Sequence, residues 1–157
     1  MVKTKLWEKK LENVDSLEGK YSLITAITGE IGNNSFDHNL GNWPDIPGIF
    51  FSYHLGRREI ILADRGQGIL TTLKKVRPNL KNHQKALRVA FTENISGRYP
   101  EYRGNGLKFV RSVVEKNEIK LQFHTGDAQL KIEKETKKLN IKKSKFFIQG
   151  CLALIKF

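Results

Sequence analysis

Asp64-Arg-Gly-Gln-Gly-Ile69, an acid followed by two alternate glycines, is the stretch of this chain with the most chemistry to offer. The apolar run Ile60 to Ala63 before it reads as a strand, and the residues after Gly68 read as a helix. A carboxylate at such a strand end can accept a hydrogen bond from an exocyclic amine, and Gly66 and Gly68 would let a flat ring approach the backbone. Adenine fits that description. A second patch, Glu30, Asn34, Asp37 and His38, falls on one stripe of a predicted helix. There Glu30 could polarise a water or hydroxyl, the Asn34 amide oxygen could ligate a hard cation such as magnesium, and His38 could meet a phosphate. The third patch, Arg103-Gly104-Asn105-Gly106-Leu107, precedes an apolar helix whose first backbone amides would attract an anion. It is not a Walker loop, because the glycine spacing differs and no Lys-Ser or Lys-Thr pair follows.

The elements that must position these groups follow from periodicity. Ser16 reads as an N-cap, and Tyr21, Ile24, Ile27 and Ile31 give the buried face of a helix over about 17–38. Turn residues fill 39–48, and the β-rich runs Ile49 to Leu55 and Glu59 to Ala63 predict a hairpin around Gly56. Short helices are expected over 68–76, stopped before Pro78, and over 83–91. The polar segment 92–104 reads as a mobile loop, and Leu107, Val110, Val113 and Val114 recur at helical spacing. The last third predicts strands over 119–124 and 128–132, separated by a turn at Thr125-Gly126-Asp127, and a closing strand over 146–157. The lysine-dominated stretch 133–145 reads as a solvated connection. The expected fold is α+β: a two-layer sandwich with a mixed, mostly antiparallel sheet and helices on one face.

At 157 residues the chain suits one domain spanning 1–157. A net charge of +12 calls for an anionic partner without choosing among nucleotide, nucleic acid, acidic protein and membrane surface. The lone cysteine, Cys151, excludes an internal disulfide, no apolar run is long enough to span a bilayer, and the N-terminus lacks a signal-peptide core. The expectation is a cytoplasmic protein. His54, His83 and His124 form no zinc spacing with Cys151. Direct nucleic-acid binding is disfavoured, because no aromatic residues interleave the lysines of 131–145 for stacking.

Taken in order, Glu30-Ile-Gly-Asn-Asn34-Ser-Phe-Asp37-His38, Asp64-Arg-Gly-Gln-Gly-Ile69 and Arg103-Gly-Asn-Gly-Leu107 resemble the asparagine box and two glycine boxes of the GHKL ATPases. That superfamily includes the ATPase domains of gyrase, heat-shock chaperones, histidine kinases and mismatch-repair proteins, and the similarity runs from about Ser16 to the C-terminus. The resemblance implies a Bergerat fold holding ATP and magnesium between helices and sheet, under a lid over about 70–103. It assigns Asn34 to magnesium and the phosphates and Asp64 to the adenine amine, with Gly66, Gly68 and Ile69 at the base-side turn. Gly104, Asn105, Gly106 and Leu107 would contact phosphate, with Asp37 and His38 nearby and Lys74, Lys75, Arg98 and Arg103 as charge-neutralising lid residues. Glu30 matches the general-base position. Where many members carry Gly-Thr near the last strand, this chain has Gly150-Cys151, and a thiol is a poorer hydrogen-bond partner, so the resemblance implies reduced nucleotide affinity or a network rebuilt with Thr125 or another hydroxyl.

The size and motif set look most similar to free-standing serine kinases of anti-sigma switches. Fewer than thirty residues precede Glu30, too few for a dimerisation domain with a phosphoacceptor histidine, and no transducer domain follows. The resemblance therefore implies a regulator that acts on a separate, STAS-like protein as a Ser/Thr kinase or ATP-dependent switch, with homodimerisation a further option. The alternative is an ATPase subunit or ATP-gated interaction module without phosphotransfer.

Overall fold

The structure, a computed structural model, describes residues 9–12, 19–95 and 104–157. The expected cap at Ser16, and Arg98 and Arg103, lie outside the described residues. The first long helix, α1 (Tyr21–Asp37), buries Ile24, Ile27, Thr28, Ile31 and Ser35, the stripe that the three- and four-residue spacing predicts. Lys20 occupies its N-cap position and gives no side-chain cap.

β1 (Ile49–His54) and β2 (Glu59–Asp64) form the expected antiparallel hairpin. Its connection is a tight helical turn at Leu55–Arg57, where the His54 ring nitrogen accepts from the Arg57 N–H and Arg58 adopts a left-handed conformation. Two short helices follow, α2 (Gly68–Lys74) and α3 (His83–Thr92), the latter capped by the Asn82 side-chain Oδ1, which accepts the Lys85 N–H. After the third site segment comes α4 (Gly106–Lys116), tied along its face by an Arg111–Glu115 ion pair one turn apart.

The last third differs from the sequence expectation. β3 is one strand, Lys120–Ile132, and β4 is one strand, Asn140–Lys156, so the Thr125-Gly126-Asp127 turn does not exist. Those residues form a β-bulge instead, where the β3–β4 register slips between Thr125 and Gly126 and again between Gly126 and Ala128. The same turn-favouring types serve a bulge, because an unpaired residue needs the same unusual backbone. Half of the lysine-rich connection is strand as well: Lys142 and Lys143 pair with Gln129 and Ala128, leaving the reversal to 133–139.

The sheet has four strands in the order β1-β2-β4-β3, and every pairing is antiparallel. The helices pack on one face through a core that includes Ile24, Ile27 and Ile31 of α1, Val110 and Val114 of α4, and Ile60, Leu121, Phe123 and Ile155 of the strands. Phe91 of α3 meets Phe123 edge-on at 5.4 Å. This is the two-layer arrangement expected. A second, smaller cluster joins α2 and α3 through Leu73, Leu80, Ala86 and Val89. The described part of the expected lid is therefore two packed helices with their own apolar contacts. Among the described residues no helix is long and apolar enough to cross a membrane.

Candidate functional site

Asp64 is the last residue of β2, buried to 7% exposure. Its carboxylate oxygens accept hydrogen bonds from Ser35 Oγ at 2.9 Å, Asn39 Nδ2 at 3.3 Å and the Gly66 N–H at 2.8 Å. Burial raises its pKa, and the Gly66, Ser35, Cys151 and Asn39 hydrogen bonds pull the other way. Burial wins, so the folded protein carries a carboxylate that is costly to keep charged and strongly directed towards donors.

Ser35 and Asn39 are the site residues that motif reading misses. Both are buried, and both descend from α1, one turn apart. Asn39 works as a hub: Nδ2 donates to the Ser35 carbonyl and to Asp64, and Oδ1 accepts the Gln67 N–H at 2.9 Å. Gly66 lies directly against it, so any Cβ at 66 would overlap the Asn39 side chain. The available signal was the spacing, since positions 31, 35 and 39 continue the buried stripe of α1.

The hydroxyl that reaches Asp64 is thus Ser35 rather than Thr125. Thr125, fully buried in β3, donates to the Gly150 carbonyl at 2.9 Å and accepts the Ile69 N–H at 3.1 Å, stitching the bulge to the start of α2. Cys151 Sγ makes a weak contact with Thr125 Oγ1 at 3.8 Å. Burial, and then the Asp64 charge, push its thiol pKa far up, so it remains protonated. Gly150, with φ of +83°, passes so close that a Cβ there would overlap the Asp64 carbonyl.

A cavity opens above this network. Asp64, Gly68, Ile69, Ser35, Asn39 and Cys151 form its floor, and Leu62, Phe123 and Ala153 give it an apolar wall. Gly106 and Leu107 at the start of α4 line it too, as do Asn34, His38, Gly104, Thr72, Leu73, Ala90 and Ile95. Gly106 opens α4, and a Cβ on it would lie 2.6 Å from Glu30 Oε2 and 3.9 Å from Asn34 Nδ2. Glu30 and Asn34 therefore face the first turn of α4 across a gap kept clear by a missing side chain, and of the two Asn34 alone lines the cavity. The arrangement can hold an elongated, flat-ended ligand with donors at one end and negative charge at the other.

Of the remaining sequence candidates, Asp37 and Asn105 are exposed and do not line the cavity, and Gly66 lies behind its floor. Lys74 and Lys75 are exposed at the end of α2, also away from the cavity. Among the described residues no group of three or more His, Cys, Asp or Glu could hold a metal ion unaided.

No family model matches this chain, and no curated protein does. Solved structures do. The ATPase region of Saccharomyces cerevisiae topoisomerase II superposes with a TM-score of 0.50 and 15% identity, covering 82% of this chain and 36% of that one. The same region bound to ICRF-187 (dexrazoxane) gives 0.52 and 16%, covering 83% and 36%. The likeness is one of fold: helices over an antiparallel sheet in the Bergerat arrangement. The chain spans about a third of the length of those neighbours.

Proposed function

We propose that this chain binds ATP with magnesium in the Asp64 cavity and uses it to regulate a separate protein, as a Ser/Thr kinase or an ATP-dependent switch. The observation that carries the reading is one cavity lined both by the buried Asp64 and by Asn34 and the Gly106 that starts α4. At one end a buried carboxylate, braced by Ser35, Asn39 and Gly66, awaits a donor such as the adenine amine. At the other, Glu30 and Asn34 face the amide-bearing first turn of α4. The fold shared with an ATPase region supports the same choice of nucleotide.

Magnesium fits as a partner held mainly by phosphate oxygens and water, with the Asn34 amide oxygen as the protein ligand; bound there, it would neutralise phosphate charge. The space at Gly106 is a cradle that any side chain would fill. Asp64 selects and orients the base, the apolar wall of Leu62 and Phe123 excludes water from it, and the α4 amides hold the phosphates. Glu30 accepts the proton of the attacking hydroxyl, whether that belongs to a partner serine or threonine or to water.

The test is calorimetric titration with ATP and GTP, with and without magnesium, followed by incubation with γ-labelled ATP and STAS-like candidate proteins. Magnesium-strengthened, adenine-selective binding with label transfer is the expected result. Steady hydrolysis without transfer would assign the chain to the alternative, an ATPase subunit or ATP-gated interaction module, and absence of nucleotide binding would reject the proposal.

A further inference from the structure

The two central strands are apolar on both faces. β2 reads Ile60-Ile-Leu-Ala63 and β4 reads Cys151-Leu-Ala-Leu-Ile155, without the alternation of a sheet that keeps one face in water. Such runs belong to strands covered from both sides. The register defines which residues lie away from the helices, because cross-strand partners share a face. Phe50, Ala63, Leu152 and His124 make one row across the four strands, and Ser52, Ile61, Leu154 and Gln122 make the next. Their neighbours along each strand, Ile60, Leu62, Phe123, Ala153 and Ile155, are buried in the helix-side core. Phe50, Ile61, Ala63, Leu152 and Leu154 belong to neither apolar cluster of the described residues, and Phe50 is 55% exposed.

The margin of this face is basic. Lys120 and Lys156 end the outer row, and Lys131, exposed between the buried Leu130 and Ile132, lies on the same face. The carboxylate at a register-defined position of this face, Glu59, is already engaged by Lys156 at 2.7 Å. A face-to-face second copy would oppose these lysines to their own counterparts, on chains that each carry a net charge of +12. Four strands about 4.8 Å apart span roughly 15 Å, the length of about three helical turns.

We propose that this open face docks an amphipathic α-helix of a partner protein, its apolar stripe on Phe50, Ile61, Leu152 and Leu154 and its acidic flanks on Lys120 and Lys131. A helix on a sheet face is the layering that buries apolar surface on both central strands, and helix-in-groove recognition uses the same i, i+3, i+4 anchors. The surface is separate from the Asp64 cavity and requires no nucleotide.

The probe is a synthetic 18-residue helix with a leucine stripe flanked by glutamates, compared by fluorescence anisotropy with a lysine-flanked version and with a scrambled peptide of identical composition. The glutamate peptide is expected to bind at least tenfold more tightly than either control. Leu154→Glu, and independently the uncharged Ile61→Gln, should weaken it tenfold or more with little change in melting temperature, and Lys120→Glu should reduce the preference for acidic flanks. Equal binding of the three peptides, or binding indifferent to both face substitutions, overturns the proposal. So does a homodimer in light scattering that Leu154→Glu dissociates, which would give the face to a second copy, or binding gained only on deletion of residues 1–8, which would give it to this chain's own N-terminus. Asp64→Asn should leave peptide binding unchanged, so a failure of docking and a failure of nucleotide binding are separate results.

Discussion

Replacing Asp64 by Asn should separate stability from ligand binding, because the amide satisfies the surrounding network better than it satisfies the ligand. Asn Oδ1 can keep the Gly66 N–H and Asn39 Nδ2, as Asp64 Oδ1 does now. The new NH2 would take the place of Oδ2 and donate to Ser35 Oγ, whose own hydrogen can turn to the Ile31 carbonyl at 3.5 Å. Three of the four donors keep a partner, the Cys151 N–H being the fourth, and a buried charge is removed. The folded-state pKa of Asp64 is raised, so its contribution to stability is best below the ordinary carboxylate value of 3.8 and is lost as pH climbs through the higher folded value. The difference in melting temperature, variant minus wild type, should therefore grow in favour of the variant as pH rises from about 4 to 7. Binding should move the other way. A hydrogen bond to a charged acceptor is lost and an amide donor now meets the exocyclic amine, together costing roughly 3–4 kcal/mol, or two to three orders of magnitude in Kd. Calorimetry with ATP and thermal melts over that pH range measure both halves. Unaltered ATP affinity would refute the assignment of the base, and a variant less stable than wild type at every pH would refute the account of the network.

Glu30→Gln should abolish phosphoryl transfer or hydrolysis while ATP affinity changes by less than about threefold, since the substitution removes a base and keeps the shape; single-turnover assays with labelled ATP check it. Gly150→Ala should destabilise by roughly 3 kcal/mol or more, because its φ is positive and backbone stands in the way, whereas Gly106→Ala meets only the mobile end of Glu30 and should cost less than about 1 kcal/mol while displacing that carboxylate. Urea melts and turnover of the two variants make the comparison. Cys151 should react with a thiol reagent at pH 8 far more slowly than a free cysteine, and slower still with saturating ATP, because its thiol is held protonated and lines the cavity; equal rates in native and denatured protein would contradict the geometry.

The parts of the fold visible in the sequence were those in which one physical signal dominates. The helical spacing from Tyr21 to Ile31 and the paired β-rich runs about Gly56 had no competing reading. Thr125-Gly126-Asp127 had two, turn or bulge, and only a partner strand as long as β4 decides between them. The lysines at 142 and 143 suggested a connection, because charge was weighed above the strand pairing that Ile141 shares with Leu130. At the site, Glu30, Asn34, Asp64, Gly68 and Gly106 stand out because glycine and acid at fixed offsets are rare. Ser35 and Asn39 do not, because a serine inside a helix and an asparagine just after one are ordinary until burial and a common partner reveal their use.

The helix α1 carries Glu30 and Asn34, which face the start of α4, and Ser35, which reaches Asp64, and Asn39 follows two residues beyond its end. At 1.5 Å per residue, the five steps from Glu30 to Ser35 measure about 7.5 Å along a rigid rod. It acts as a ruler cut into the protein. On the proposed reading a ligand would be judged by its length as well as by its two ends, and fragments that touch one mark, a free base or a lone phosphate, would forfeit the gain that comes from having the distance between marks already set.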